Sequence, residues 1–281
     1  MKAAKAHFEN EAALCSQFIS SIPAGWTAYP ETAGFDIVLV RNIDGAQIGI
    51  EAKMTLNAKV LMQAVDGIYT NHGDAYGGPD WRAALVPAGA AGAEMKQVAR
   101  YLGVTIIECQ SPNGRAEYIE REVARSGEEW RKWAEKDADR NYHPFRPELP
   151  SPGYQWREMW VDFCPAKRLP LPEYVPDVTA GASGPTSLSE WKIKAIKIAI
   201  ILERRGYLTP KDFAHISIDR KRWHDMGWIS HDAAHHVRGR FVTGPTPLDL
   251  RAAHPVNYLQ IEADWEKWAP KEASEELGAL L

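Results

Sequence analysis

The sequence predicts a mixed α/β domain followed by a smaller, mainly helical domain. The chain has 281 residues, which is long for one small domain. Over about the first 115 residues, apolar segments alternate between helical and strand-like spacing. Beyond a stretch at 176–188 that is rich in small residues and Pro, several short helical patterns follow one another. We therefore place domains at 1–120 and 186–281, with a helical and Pro/Trp-rich connector and linker over 121–185.

Composition and charge limit the class of protein. No run of 18 apolar residues exists and the first residues lack an apolar signal segment, so we expect a cytoplasmic protein without membrane association. The three cysteines are widely spaced and form neither a disulfide framework nor a zinc pattern. The formal net charge is −4, yet residues 186–241 hold 11 Lys and Arg against 6 Asp and Glu. Residues 1–120 instead hold 9 against 13, so the basic excess is confined to the second domain.

The first predicted element is an amphipathic helix over 3–22. Its apolar positions recur at helical spacing: Phe8, Ala12, Cys15, Phe18, Ile19 and Ile22. Glu11 lies on this apolar stripe, where a carboxylate needs a partner. A metal site would supply such a partner. Alternatively, Glu11 reaches solvent from the edge of the stripe.

The next elements form a β-hairpin over 34–53. Two apolar runs flank an Asn-Ile-Asp-Gly turn, with Asp36 near the start of the first run and Glu51 and Lys53 at the end of the second. Because alternate strand residues share a face, we expect Glu51 and Lys53 on one side of the sheet, close to Asp36 on the neighbouring strand. The alternative is a surface ion pair between Glu51 and Lys53, worth about 0–1 kcal/mol.

This constellation has a defined chemical use. Two converging carboxylates suit a hard cation such as Mg²⁺ or Mn²⁺, so Asp36 and Glu51 are candidate metal ligands together with the backbone carbonyl of Ala52. Lys53 is a candidate for orienting or deprotonating a water, or for offsetting charge that builds on a phosphate. A Lewis acid, an activated water and a positioned cation are the parts that phosphodiester hydrolysis needs.

The rest of the first domain follows from caps and apolar spacing. Thr55 or Asn57 can cap a helix over 58–69. This helix carries Gln63, which could contact a phosphate or a metal-bound water. The remaining predicted elements are a short buried strand over 83–87, a helix over 90–102 and a strand over 104–109.

The order of these residues resembles the PD-(D/E)XK superfamily of restriction-endonuclease-like phosphodiesterases. The residues that carry the resemblance are Glu11, Asp36, Glu51-Ala52-Lys53 and Gln63. The αβββαβαβ order over about 1–115 is also similar to the core of that family, although Phe35 stands where the name motif has proline. The resemblance implies an α/β nuclease in which Asp36 and Glu51 bind the metal. It also implies that Lys53 activates water and that Glu11 and Gln63 support the site.

The second domain reads as three short helices and a hairpin-like piece. Ser189 can cap a helix that closes at Gly206, although alternation over 192–198 also allows a strand. Thr209 and Asp219 can open the next two helices. A further helix over 231–238 and a strand at 241–242 come before a Gly-Pro turn. This arrangement over about 186–243 resembles a winged helix-turn-helix, with an acidic tail behind it.

A basic surface on this domain would suit DNA. The candidate contacts are Arg220, Lys221, Arg222, His224, Arg238 and Arg240. Binding through such residues would depend steeply on salt. The alternative is a solvated basic helix face in a domain that binds protein. His231 and His235 have the i, i+4 spacing of metal ligands, but no Glu follows His231, which favours surface or phosphate-contacting histidines.

We therefore expect a Mg²⁺-dependent DNA endonuclease with a DNA-binding C-terminal domain. One alternative is a DNA-binding regulatory or assembly protein with a catalytically silent nuclease fold. Another is a nuclease subunit that needs a partner protein in a larger DNA-processing complex. A cut through both strands would need two sites, which is compatible with a homodimer.

Overall fold

A six-stranded mixed β-sheet organises the N-terminal part of the chain in the computed structural model. The structure describes residues 8–66, 77–152, 159–181, 188–233 and 239–270. The chain divides into two compact units. The first comprises residues 1–171 and 179–186, and the second comprises residues 172–178 and 187–281. Most of the predicted connector thus groups with the first unit.

The first unit contains both helices and strands. In chain order they are α1 (Glu11–Ser20), β1 (Trp26–Thr32), β2 (Phe35–Arg41), β3 (Gln47–Ala52), α2 (Ala58–Ala64), β4 (Trp81–Pro87), α3 (Ala93–Tyr101), β5 (Val104–Cys109), α4 (Gly114–Ser126), a 3₁₀ turn (Glu128–Trp130), α5 (Arg131–Asn141) and β6 (Phe145–Arg146). The sheet order is β1-β2-β3-β4-β5-β6. The predicted mixed α/β class is confirmed.

The pairing of neighbouring strands changes twice across the sheet, from antiparallel to parallel and back. β1, β2 and β3 form an antiparallel meander, whereas β3, β4 and β5 run parallel. Parallel neighbours need crossover connections, and these contain α2 and α3. β6 adds to β5 in the antiparallel sense. The short turns of the meander fix the register of its three strands, which decides where the acids lie.

Apolar residues fill both faces of this sheet. Leu14, Cys15 and Phe18 of α1 pack with alternate residues of β2 and β3, among them Ile37 and Ile50. On the other face, α2 and α3 pack with residues from β4. Every residue of β3 is buried, including its one carboxylate. The carboxylate of Glu51 in this strand is therefore removed from water, which costs free energy when the group is charged.

The start of α1 differs from the prediction, and one of the two candidate caps sets the start of α2. The helix expected from residue 3 begins at Glu11, because the Asn10 side chain accepts a hydrogen bond of 2.9 Å from the Ala13 amide and caps it there. Residues 8–10 are therefore not helical, and residues 1–7 lie outside the described part. Of the two candidate caps for α2, Asn57 makes the bond, to the Val60 amide.

The second unit is mainly helical. It contains α6 (Glu190–Arg205), α7 (Pro210–Ile216), α8 (Arg220–Asp225), β7 (Ile229–His231), β8 (Phe241–Thr243), α9 (Leu250–Ala253), α10 (Pro255–Ala263) and α11 (Trp265–Trp268). The predicted caps form: the Ser189 side chain accepts from the Lys192 amide, Thr209 and Asp212 make a reciprocal capping box, and Asp219 accepts from the Lys221 amide. Residues 192–198 are helical, so the strand alternative is wrong.

The helix predicted over 231–238 is wrong for residues 231–233, which are the part of it that the structure describes. His231 belongs to β7 and pairs with Phe241 of β8, and Asp232 and Ala233 are not helical. Residues 234–238, which include His235 and Arg238, lie outside the described part. The pairing partner is ten residues away, so a local helical pattern does not reveal it.

Residues 172–178 belong to the second unit, although they are far from α10 in sequence. Asp177 accepts hydrogen bonds from the Val256 and Asn257 amides, and one of its oxygens lies 2.9 Å from His254 Nδ1. Asp177 and His254 side chains are almost fully buried. This segment thus satisfies the amides at the start of α10. Within the described ranges, no helix is long and apolar enough to cross a membrane.

Candidate active site

Three acids occupy neighbouring positions on three adjacent strands. Ile37 of β2 pairs with Ile50 of β3, so Asp36 and Glu51 take the next position along these strands. Between β1 and β2, the pairs Pro30–Ile37 and Thr32–Phe35 bracket Glu31 and Asp36, and Glu31 has a positive φ of 46° there. Adjacent strands lie about 4.7–4.9 Å apart. We refer to Glu31, Asp36 and Glu51 as the carboxylate row.

Asp36 bonds the backbone of β3 through its side chain. Its Oδ2 accepts a hydrogen bond of 2.7 Å from the Ala52 amide. The bond forms beyond the Ile37–Ile50 pair, so the carboxylate satisfies an amide for which the strand ladder supplies no acceptor. Burial raises the pKa of Asp36, and the Ala52 amide and Lys53 charge oppose that effect. In the described part of the chain, Asp36 Oδ1 has no hydrogen-bond partner and is available to a ligand.

Glu51 is the most buried acid of the row. It is 5% exposed, and its carboxylate has neither a hydrogen bond nor an ion pair to any described residue. Burial, and next the charge of Asp36, raise the pKa of Glu51 to about 8. A buried carboxylate beside a second one is costly unless a cation or a proton compensates it.

Lys53 pairs with Glu11 rather than with Glu51. Its Nζ donates a hydrogen bond of 2.7 Å to Glu11 Oε2, and both side chains are partly exposed. The alternative of a surface Glu51–Lys53 pair is therefore not realised. Partial burial lowers the pKa of Lys53, but the bond to Glu11 and the nearby carboxylate charges outweigh it and leave the pKa above its usual value. Lys53 thus stays protonated at neutral pH.

Glu31 completes the row, and the sequence analysis missed it. Its Oε1 accepts a hydrogen bond of 2.7 Å from the Gly181 amide, and burial raises its pKa. A two-residue turn, Ala33-Gly34, separates the paired residues Thr32 and Phe35, and both turn residues have positive φ. Such a turn fixes the register, so recognising it in the sequence would have set Glu31 opposite Asp36.

Gln63 and Cys15 differ from the residues described so far. Gln63 lies on the exposed side of α2, and its side chain makes no hydrogen bond to the four other predicted catalytic residues. Cys15 of α1 lies beside the row, and burial followed by the charge of Asp36 raises the pKa of its thiol. The structure therefore relates Glu11, Asp36, Glu51 and Lys53 through hydrogen bonds and charge, whereas the role of Gln63 stays a prediction.

The donor set fits a hard cation that keeps several waters. Among residues with described positions, no group of three or more His, Cys, Asp or Glu forms a metal-ligand cluster. Mg²⁺ usually binds through one or two carboxylates, with waters completing its shell. The unpaired Glu51 carboxylate and the open Oδ1 of Asp36, next to the Ala52 carbonyl, match that requirement.

The predicted DNA-contacting residues fall into two groups. Arg220, Lys221, Arg222 and His224 are exposed on α8. The guanidinium of Arg222 lies 4.8 Å from the Trp191 ring and that of Arg220 lies 5.3 Å from the Phe241 ring, so packing holds both arginines. Arg240 is only partly exposed, because it stacks on Tyr207 at 3.7 Å and lies 3.7 Å from Asp232. Arg238 lies outside the described residues.

One cavity of the first unit is not lined by the carboxylate row. It has a volume of about 840 Å³ and is lined by residues that include Glu108, His143, Arg146 and Trp160. Two of its acids already have partners: Glu108 bonds Lys96, and Glu148 lies near His143. Neither the carboxylate row nor Lys53 lines this cavity.

Comparisons with known proteins do not assign the chain to a family. No protein-family model matches it, and neither the curated proteins nor the solved structures gave a match.

Proposed function

We propose that this protein is a metal-dependent DNA endonuclease that hydrolyses phosphodiester bonds at Asp36, Glu51 and Lys53. The observation that carries the proposal is the buried Glu51 carboxylate, which has no partner among the described residues and lies next to Asp36. Retaining such a group is costly unless it binds a ligand. Its position beside a protonated lysine suits a substrate that carries negative charge.

Asp36 and Glu51, with the Ala52 carbonyl, would hold Mg²⁺ or Mn²⁺. When bound, such a cation supplies a Lewis acid for the phosphate and lowers the pKa of a water nucleophile. The Ala52 amide fixes one oxygen of Asp36, which leaves the other oxygen oriented for binding. Glu51 is held by the buried strand β3, so its position does not depend on a loop.

Lys53 and Glu11 act as a unit in this proposal. Glu11 accepts a hydrogen bond from the Lys53 ammonium and limits the positions that the ammonium can take. Because Lys53 keeps its proton, it serves as a positive charge and hydrogen-bond donor rather than as a base. It would orient the attacking water and offset charge that develops on the phosphate.

The order of elements supports the resemblance to restriction-endonuclease-like phosphodiesterases. From Glu11 to Cys109, the described elements follow the order helix, three strands, helix, strand, helix and strand. Asp36 comes from the second strand and Glu51 from the third, as that resemblance implies. The family assignment remains part of the proposal.

The second unit would hold the DNA. Its first three helices, one long and two short, and its antiparallel β7–β8 pair resemble a winged helix-turn-helix. α8 presents three exposed basic residues and His224. Phosphate contacts from such a helix position a duplex and make binding salt-dependent. This assignment rests on charge and element order.

Cleavage by site variants tests the proposal. We expect Asp36→Ala, Glu51→Ala and Lys53→Ala to reduce the cleavage of plasmid and linear DNA in Mg²⁺ or Mn²⁺ by about 100-fold or more, since each removes charge stabilisation at the reacting phosphate. Glu9→Gln, which changes an exposed acid just before α1, is the matched control and should cleave like the wild type. If the three site variants cleave DNA as fast as the wild type and Glu9→Gln do, the mechanism is refuted. DNA binding without cleavage by the wild type under any metal would favour a regulatory protein, unless a partner protein restores activity.

A further inference from the structure

A surface of aromatic rings lies beside the basic helix α8. The His224 ring of α8 lies 5.2 Å from the His231 ring of β7, measured between ring centroids. The centroid of the His231 ring lies 4.9 Å from that of the Phe241 ring of β8, with an angle of 38° between the two planes. Both histidines are exposed, whereas Phe241 is buried. We refer to these three residues as the ring surface.

Strand pairing holds the central ring of this surface. His231 and Phe241 are directly paired across the antiparallel strands β7 and β8, so their side chains project from the same face. The His231 ring therefore packs on Phe241 with one side, while the exposure of the residue shows that part of it faces water. That part of the ring is available to a planar ligand.

Positive charge borders the ring surface. The Arg220 guanidinium lies 5.3 Å from the centroid of the Phe241 ring. Arg220 and His224 are four residues apart on α8, so they lie on the same side of the helix. Lys221 follows Arg220 and is exposed. Cations and rings thus form one continuous surface.

Two of the three acids closest to α8 have local partners. Asp219 accepts the hydrogen bond from the Lys221 amide that caps the helix. Asp232 is buried and lies 3.7 Å from Arg240. The third acid, Asp225, is exposed at the end of the helix. The exposed cations at the start of α8 therefore stay available to phosphate groups.

Rings and cations in this arrangement fit an unpaired nucleotide. Bases stack on aromatic and histidine side chains, while phosphates bind arginine and lysine. Within a duplex each base already stacks on its neighbours, and a protein has to take a base out of the stack to contact its face. Only an unpaired base therefore offers its face to His231 without that cost.

We infer that the ring surface binds an unpaired nucleotide of DNA, with the base stacked on His231 and the adjoining phosphates held by Arg220 and Lys221. The inference rests on the DNA-binding part of the proposed function. It narrows the substrate to a duplex that carries unpaired nucleotides, such as an overhang or a gap. The resemblance to a winged helix-turn-helix implies contacts with a duplex and does not supply this.

DNA binding in EDTA tests the inference without any cleavage. Full-length protein is titrated, at one fixed KCl concentration, into labelled DNA hairpins with a blunt end, a 3′ overhang or a 5′ overhang of thymidines, and fluorescence anisotropy gives the Kd. At least one overhang should lower the Kd of the wild type about tenfold, within the range that one stacked base contributes. An abasic overhang of the same length keeps the phosphates and should give no such gain.

Variants of the central ring separate stacking from charge. His231→Ala should lose the gain in affinity from the overhang, whereas His231→Phe should keep it, because an aromatic ring remains. Ser230→Ala is the matched control and should keep the gain, since Ser230 belongs to the same strand and projects from its opposite face.

The outcomes distinguish the inference from the proposed function. If the wild type binds blunt and overhanging hairpins equally, if the abasic overhang gives the same gain, or if His231→Ala keeps the gain, the inference is wrong and the proposed DNA binding stands. If the wild type binds no hairpin, both are wrong. If circular dichroism shows that His231→Ala is unfolded, His231→Thr replaces it, because threonine lacks the ring but suits a strand. A full gain in His231→Thr would then overturn the inference.

Discussion

At the scale of single residues, the Glu51 carboxyl makes the stability of the first unit depend on pH. It lies in a strand whose six residues are all buried, and Asp36 adds a second negative charge. Its pKa is therefore about 8, whereas its ordinary value is 4.5. The folded state binds the Glu51 proton more tightly than the unfolded state, so protonation favours folding.

The free energy of unfolding should therefore fall as pH rises. The contribution of Glu51 is fully present below about pH 4.5 and is lost as pH rises through about 8, with a slope of ~1.4 kcal/mol per pH unit in between. Urea denaturation at pH 5, 6, 7 and 8 without divalent ions measures this. Glu51→Gln should remove most of the slope, whereas Glu9→Gln should keep it. An equal slope in Glu51→Gln would show that another group causes the effect.

Sequence spacing predicted much of the site. Glu51 and Lys53 are two residues apart, and a single Asn-Ile-Asp-Gly turn links their strand to that of Asp36, so local rules bring all three together. Glu11 was singled out because an acid on an apolar stripe needs a partner. The identity of that partner, Lys53, could not be read from the sequence, because it depends on how α1 packs at the end of β3. Glu31 was missed because its role requires the register of a third strand.

At the scale of elements, Gly49 shows how closely β2 and β3 pack beside the carboxylate row. A Cβ at this position would lie 2.6 Å from two ring carbons of Phe35, the residue before Asp36. The Phe35 ring therefore occupies the space that a side chain at position 49 would need. The absence of a side chain at Gly49 and the position of Phe35 are two parts of one packing arrangement.

Gly49→Ala should destabilise the protein by about 1–3 kcal/mol, because the added methyl group displaces the Phe35 ring or the strand. Urea denaturation gives the change in free energy. Gly25→Ala is the matched control, since a Cβ at Gly25 would have no atom within 4 Å and φ is not positive there. Equal loss of stability in both variants would mean that steric contact with Phe35 is not the cause.

Helix starts were easier to predict than strand partners. Ser189, Thr209 and Asp219 cap their helices as predicted, because a cap acts over three residues of sequence. The start of α1 was misplaced because the apolar pattern continues past Asn10, and the cap overrides it. The pairing of His231 with Phe241 spans ten residues, and it displaced a helix that the local pattern had favoured.

At the scale of the whole molecule, charge is divided between the two parts of the chain. Residues 186–241 have an excess of basic residues, and residues 1–120 have an excess of acids. An acidic site repels a polyanion unless cations neutralise it, so substrate affinity has to come from elsewhere. The basic α8 is the described element best suited to that task.

Lys221 offers the cleanest test of DNA binding. It is exposed and, unlike Arg220 and Arg222, stacks on no described aromatic ring. Lys221→Ala should weaken duplex binding and lower the slope of log K against log salt by about 1, because one phosphate contact is lost. Fluorescence anisotropy at several KCl concentrations measures both. Lys267→Ala, another exposed lysine of the second unit, should leave the slope unchanged, and an unchanged slope in Lys221→Ala would remove α8 from the interface.

The chain passes between the two units more than once, and this limits how the protein can be divided. It leaves the first unit after residue 171, returns at 179 and departs again after 186. A fragment that stops at 171 would lack Gly181 and the bond that orients Glu31. A fragment that starts at 187 would lack Asp177, which receives the amides at the start of α10. No single truncation point therefore yields both halves complete, and fragments that keep both stretches have to overlap over residues 172–186.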